Sequence, residues 1–159
     1  MREVHHFING AVVPGKSGRF GDVYNPNTGE VQARVALATA AELAVAVDAA
    51  KAALPAWAST NPQRRARVMF EFKRLVEANM NELAHLLSSE HGKVVADSKG
   101  DIQRGLDVVE FACGIPHLLK GEYTEGAGPG IDVFSMRQAL GVCAGITPFN
   151  FPAMIPSWM

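Results

Sequence analysis

Residues 148–152 read Pro-Phe-Asn-Phe-Pro, with Asn150 at the centre. An amide carries two N–H donors, and a donor aimed at a developing oxyanion supplies about 3 kcal/mol of transition-state stabilisation. Pro148 and Pro152 fix their own φ and remove two backbone donors, which stiffens the loop. Phe149 and Phe151 add apolar bulk that excludes water. The competing reading is a turn in which the Asn side chain bonds its own backbone. Local sequence leaves both readings open.

Arg104 is the second candidate. It lies in Gly100-Asp101-Ile102-Gln103-Arg104-Gly105, where the adjacent glycine lets a ligand or another backbone approach. Its planar five-donor cation suits a carboxylate or phosphate group on a substrate. A surface charge paired with Asp101 or Asp107 accounts for it too. Cys143 is the obvious nucleophile to consider, but it stands among Val142, Ala144 and Ile146 and reads as a small buried hydrophobe. Cys113 falls on an apolar helix face. No CxxC spacing occurs, His5-His6 is too short for a metal site, and His85 and His91 are not spaced as a ligand pair. No metal is expected. Gly15-Lys16-Ser17-Gly18 lacks the GxxxxGK[ST] frame of a phosphate loop and reads as a surface loop. Arg64, Arg65 and Arg67 read as a solvated helix face, with no aromatic platform for bases.

These residues need elements to position them. The first forty residues read as short strands and turns, with Asn9-Gly10 and Asn25-Pro26-Asn27-Thr28-Gly29 as the turn signals. Thr39 and Glu42 make a capping box, which starts a helix that should stop or bend at Pro55. Asn61 caps the next helix with Pro62 at its first position. Met69, Phe72, Leu75 and Val76 form its apolar face, and Met80, Leu83, Leu86 and Leu87 continue at helical spacing. Gly92 interrupts. Val94 to Leu119 then carries Val95, Ile102, Leu106, Val109 and Cys113 on one stripe, with Gly100, Gly105 and Gly114 marking close packing or a kink. Ile131 to Leu140 alternates as a half-exposed strand, an arm of a hairpin with Glu122 to Thr124. Val142 to Ile146 is short, apolar and unalternating, as a strand buried on both faces of a parallel sheet would be. Asn150 would follow that strand's carboxyl end, where sites of open α/β sheets gather.

The bulk numbers fit one ordinary domain. The chain has 159 residues, 48% hydrophobic and 19% charged, with net charge -1. That composition is globular and gives no electrostatic footprint for nucleic acid. No stretch is long and apolar enough to span a membrane. The opening MREVHHFING shows no secretory or transit leader, so a cytoplasmic location is expected, or the mitochondrial matrix in a eukaryote.

The closing stretch GITPFNFPAMIP resembles the aldehyde dehydrogenase superfamily. LGVCAGITPFNFPAMIP and EHGKVVADSKGDIQRGLDVVEFACGIPHLLKGEY, with FINGAVVPG and YNPNTGEVQARV, are similar to its CoA-acylating methylmalonate-semialdehyde dehydrogenase branch. The likeness runs along nearly the whole chain. It implies an α/β, aldehyde-dehydrogenase-like fold in truncated form. Residues 1–121 would belong to the NAD-binding domain, 122–139 to an oligomerisation hairpin, and 140–159 to the first strand of the Rossmann-like parallel sheet and the active-site Asn loop.

In such enzymes a cysteine thiolate attacks a semialdehyde, NAD is reduced, and CoA takes the acyl group from the resulting thioester. The resemblance makes Asn150 the oxyanion-hole amide and Arg104 an arginine that recognises the substrate carboxylate. It lays Thr147 and Phe149 along NAD. It matches Cys143 to no catalytic position. Methylmalonate or malonate semialdehyde would give propionyl-CoA or acetyl-CoA with loss of the carboxylate, in valine, thymine or inositol breakdown, by a homotetramer. Two departures from the branch are Ala139, where proline is common, and Ser157, where a larger apolar residue is usual. The nucleophilic cysteine lies outside these residues, so the 159 residues are expected to be inactive alone and only marginally stable. Two other readings are a non-acylating enzyme that makes a carboxylic acid, and a non-catalytic interaction module.

Overall fold

Most of the elements follow from local chemistry. The computed structural model describes residues 1–159. Strands β1 (Arg2–Val4), β4 (Phe20–Tyr24) and β5 (Val31–Ala36) form one sheet in the order β1-β5-β4, with β1 parallel and β4 antiparallel to β5. β2 (His6–Ile8) and β3 (Ala11–Val13) form a separate hairpin. Asn9 at φ 52 and Gly10 at φ 76 make its two-residue turn, the left-handed pair that tight hairpins demand. The Asn25 turn forms as expected, with the Asn27 N–H donating to Asn25 Oδ1 at 2.9 Å.

Four helices follow: α1 (Ala40–Ser59), α2 (Pro62–Ala78), α3 (Met80–His91) and α4 (Val95–Cys113). The Thr39–Glu42 capping box closes in both directions, and Asn61 accepts from the Gln63 N–H with Pro62 in the first position. Pro55 does not end α1; the helix continues to Ser59. A proline costs one backbone bond and a bend, and the alanine-rich sequence on both sides favours helix strongly enough to carry through. Gly92 ends α3 with φ 87, and a Cβ there would press on Pro26 at 3.2 Å. Left-handed backbone and lack of space both call for glycine.

α4 is the spine. Ile102, Leu106, Val109 and Cys113 are buried along it, as the stripe predicts, and Ala84, Leu87, Ile102 and Leu106 form the core cluster. α2, α3 and the short α5 (Met154–Trp158) all pack against α4. Gly105 lets α5 sit close: a Cβ there would lie 3.0 Å from Ser157 Oγ and 3.3 Å from Met154 Cα. A small residue at 157 therefore matches a missing side chain at 105.

Two expectations for the last third change. The hairpin forms from β6 (Tyr123–Gly128) and β7 (Ile131–Phe134), but its strands are exposed almost throughout. Asp132 pins it, accepting from Tyr123 Oη at 2.8 Å and the Gly126 N–H at 2.9 Å. Those two bonds, the backbone one first, lower the Asp132 carboxyl below its ordinary range. Residues 140–147, expected to contain a buried strand, carry no strand pairing, and Leu140 and Ile146 are both 96% exposed. A strand exists only through its neighbours, and no strand of this chain lies beside it. Cys143 is accordingly exposed rather than buried.

The whole chain exposes 11430 Å² at 17.0 kDa, whereas a compact monomer of that mass exposes about 7,700 Å². Much apolar surface lies open, including a cleft of about 380 Å³ lined by Phe72, Leu83, Leu86, Phe149 and Pro152.

Candidate active site

Asn150 lies in a turn at the surface, and none of the side-chain hydrogen bonds in the molecule engages its amide. The turn reading required that amide to bond its own backbone, and it does not. An exposed amide free of internal partners keeps both donors for something outside the chain.

The loop around it is held from one side. Phe149 stacks on His91 with ring centroids 5.0 Å apart and planes at 24°. Phe151 lies under Lys93, whose Nζ is 4.3 Å from the ring centroid. Both flanking aromatics are thus engaged by residues on either side of Gly92. Downstream, the Phe151 carbonyl accepts from the Ile155 N–H at 3.2 Å, which turns the chain into α5. The first residue of α5, Met154, donates its N–H to Asp101 Oδ1 at 2.8 Å. Asp101 is 0% exposed, and its other oxygen accepts from Lys93 Nζ at 3.1 Å. A buried carboxylate needs such partners, because an uncompensated one is costly.

Sequence reasoning missed this pair. On the sequence alone Asp101 reads only as a surface partner for Arg104. A signal was present, since Asp101 sits beside Ile102 in the buried register of α4, where an acid requires an explanation.

Arg104 is exposed on α4 and makes no ion pair. Both acids proposed to neutralise it are engaged elsewhere: Asp101 with Lys93 and Met154, and Asp107 as acceptor from Gln103 Nε2 at 2.9 Å. The guanidinium therefore retains its full donor set for an anion.

Thr147 is exposed, and Phe149 is 69% exposed although one face of its ring meets His91. An open ring face and an open hydroxyl suit contact with a flat cofactor ring and its polar groups. Burial raises the Cys113 thiol above its usual value, with nearby Lys73 opposing. That makes Cys113 a poor nucleophile. No group of three or more His, Cys, Asp or Glu side chains is placed to hold a metal ion. No helix is long and apolar enough to cross a membrane. Lys16 sits in a surface loop whose backbone N–H donates to Glu42 Oε1 at 2.6 Å, so that loop braces α1.

The chain is similar to known proteins along its length. The sequence matches the aldehyde dehydrogenase family over residues 12–159. It is 51% identical over 159 residues to a malonate-semialdehyde dehydrogenase of Pseudomonas aeruginosa, covering 100% of this chain and 32% of that protein. It is 51% identical over 156 residues to the acylating, mitochondrial methylmalonate-semialdehyde dehydrogenase of Arabidopsis thaliana, covering 98% of this chain and 26% of that protein. The chain thus spans about a third or less of these relatives' length. A Sinorhizobium meliloti 1021 structure, assigned as a methylmalonate-semialdehyde dehydrogenase and complexed with NAD, superposes with TM-score 0.97 at 64% identity. The match covers 100% of this chain and 32% of that one. The α/β architecture of amino-terminal strands, helical layer and partial mixed sheet is therefore that of this fold.

Proposed function

The chain belongs to the aldehyde dehydrogenase family, and on that premise we propose that it is the amino-terminal third of a CoA-acylating methylmalonate- or malonate-semialdehyde dehydrogenase. The observation that carries the reading is the Asn150 amide, free of internal partners on a loop held by His91, Lys93 and Asp101.

The chemistry assigned to these residues is electrostatic. When a thiolate adds to an aldehyde, the carbonyl oxygen becomes an alkoxide. The Asn150 Nδ2–H groups donate to that oxygen and stabilise the charge as it forms. Arg104 donates to the carboxylate of the semialdehyde and fixes the far end of the substrate. Thr147 and the open face of Phe149 line the cofactor. NAD, when bound there, accepts the two electrons of the oxidation. The thiolate is assigned to the remainder of the protein, since Cys113 is buried with a raised thiol value and Cys143 lies within the unpaired 140–147 stretch. The carboxylate of the thioester-bound acyl group leaves as carbon dioxide or bicarbonate, and CoA displaces the enzyme thiolate from the remaining acyl group, which yields propionyl-CoA or acetyl-CoA. The hairpin of β6 and β7, with Ile131, Val133 and Phe134 exposed, is assigned to assembly of a homotetramer.

The experiment is a product assay on the full-length protein with methylmalonate semialdehyde, NAD and CoA. Propionyl-CoA and NADH in equal amounts are expected, and no NADH from the 159-residue chain alone. NADH formation that is indifferent to CoA, with a free carboxylic acid as product, would show the non-acylating enzyme instead.

A further inference from the structure

The side chains that hold the Asn150 loop make a pattern the proposed chemistry does not explain. Among the charged side chains Asp101 is the buried one, at 0% exposure, and Lys93 beside it is 15% exposed. A buried ion pair is a weak source of stability, because removing two charges from water offsets much of their attraction. Well-packed apolar residues at both positions would serve the core as well or better. What the pair does supply is direction. Asp101 Oδ1 fixes the Met154 N–H, and Lys93 bridges from Asp101 Oδ2 to the face of Phe151. Every partner of the pair outside itself lies in residues 151–154, directly after Asn150. Gly105 adds to this by letting α5 close onto α4, so Met154 comes within reach of the carboxylate.

We propose that Asp101 and Lys93 are positioning residues for the Asn150 amide. Their ion pair sets the height and rotation of the loop, and so the place where the amide donors point. Neither side chain touches substrate. An aromatic resting on apolar side chains alone could slide, whereas a carboxylate bonded to one N–H and a cation centred on one ring define a single register. Misplacing a reacting group by about 1 Å can cost on the order of 100-fold in rate. The inference rests on the oxyanion role assigned to Asn150, and its test separates the two.

The test uses the full-length protein in four forms: wild type, Asp101→Asn, Asn150→Ala and the double variant. Asp101→Asn keeps the volume and an oxygen acceptor but removes the charge that holds Lys93. We expect kcat to fall about 10-fold to 100-fold, with KM for NAD little changed. In the Asn150→Ala background the same change should have an effect of about twofold or less, because residues acting through one group are non-additive. Equal losses in both backgrounds would overturn the proposal and make Asp101 a general stabiliser, as would a wild-type kcat in Asp101→Asn. Should Asn150→Ala alone retain wild-type activity, the oxyanion reading fails and hydrogen exchange decides the positioning. Faster exchange at Phe151–Met154 in Asp101→Asn, with Leu106 and Val109 unchanged, supports it. Unchanged exchange at Phe151–Met154 overturns it.

Discussion

Residues 140–147 and residues 149–154 are neighbours in sequence and opposites in structure. The first stretch is apolar and largely bare: Leu140 and Ile146 are 96% exposed and no strand pairs with it. The second, with Pro148 just before it and Pro152 within it, carries an exposed amide, and it is held by a ring stack, a cation over a ring and a bond to a buried carboxylate. Composition alone would have ranked the first as core and the second as loop. The difference is whether the partners lie within these residues. A strand needs another strand, whereas the Asn loop needs α3 and α4, which precede it. The Asn150 loop is thus organised by this segment itself, and the apolar stretch beside it is left uncovered.

The sharpest way to break that comparison is truncation on each side of it. Leu106, 2% exposed, should cost about 2–5 kcal/mol when changed to Ala, whether the chain is isolated or full-length. Ile146→Ala should change the stability of the isolated chain by less than about 0.5 kcal/mol, yet cost about 1 kcal/mol or more in the full-length protein where other strands cover it. Denaturant midpoints give both numbers. An Ile146→Ala cost of similar size in the two settings would mean that the remainder leaves this stretch bare.

Asp101 and Arg104 sharpen the comparison on a single helix, since one is buried and fully engaged while the other is exposed and unpaired. Arg104→Met should lower kcat/KM for a carboxylate-bearing semialdehyde about 10-fold to 100-fold, the size of a lost charged hydrogen bond. An aldehyde of similar length without the carboxylate should be affected about twofold or less. Equal losses on both substrates would remove the carboxylate role.

The smallest effects lie at α1, far from the loop. Thr39→Ala removes the cap and should cost about 1 kcal/mol. Its partner Glu42 has a carboxyl value lowered from 4.5 to about 2, chiefly by the Thr39 backbone N–H, then by that of Lys16. A lowered carboxyl value contributes stability above its ordinary value, and that contribution is lost as the group protonates. Acid titration should therefore remove it progressively as pH falls from about 4.5 toward 2. The increment should be missing in Glu42→Gln; an identical acid profile in that variant would detach it from Glu42.

What the sequence made legible was local. The Thr39–Glu42 box, Asn61-Pro62, the Asn9-Gly10 turn and the α4 stripe each declare themselves within a few residues, because capping, φ preference and periodicity are short-range effects. Of the two outcomes Pro55 allowed, a stop does not occur, because a long alanine-rich helix carries through one lost hydrogen bond. The 142–146 strand misled because apolar character records burial in some assembly, not in this segment alone. At the site, Asn150 and Arg104 were visible as donors. Whether they were already engaged was not visible, since that depends on Asp101, Asp107 and Lys93 finding other partners. The Lys93–Asp101–Met154 connection joins residues far apart in the chain, and only the α3–α4 packing brings them together.

We propose that this loop holds an amide in reserve for an oxyanion. The most direct measurement is kcat of the full-length Asn150→Ala enzyme with its semialdehyde, NAD and CoA at saturation. A fall of about 10²- to 10³-fold is expected, with the far-ultraviolet spectrum and NAD affinity retained. A kcat within about twofold of wild type would contradict it.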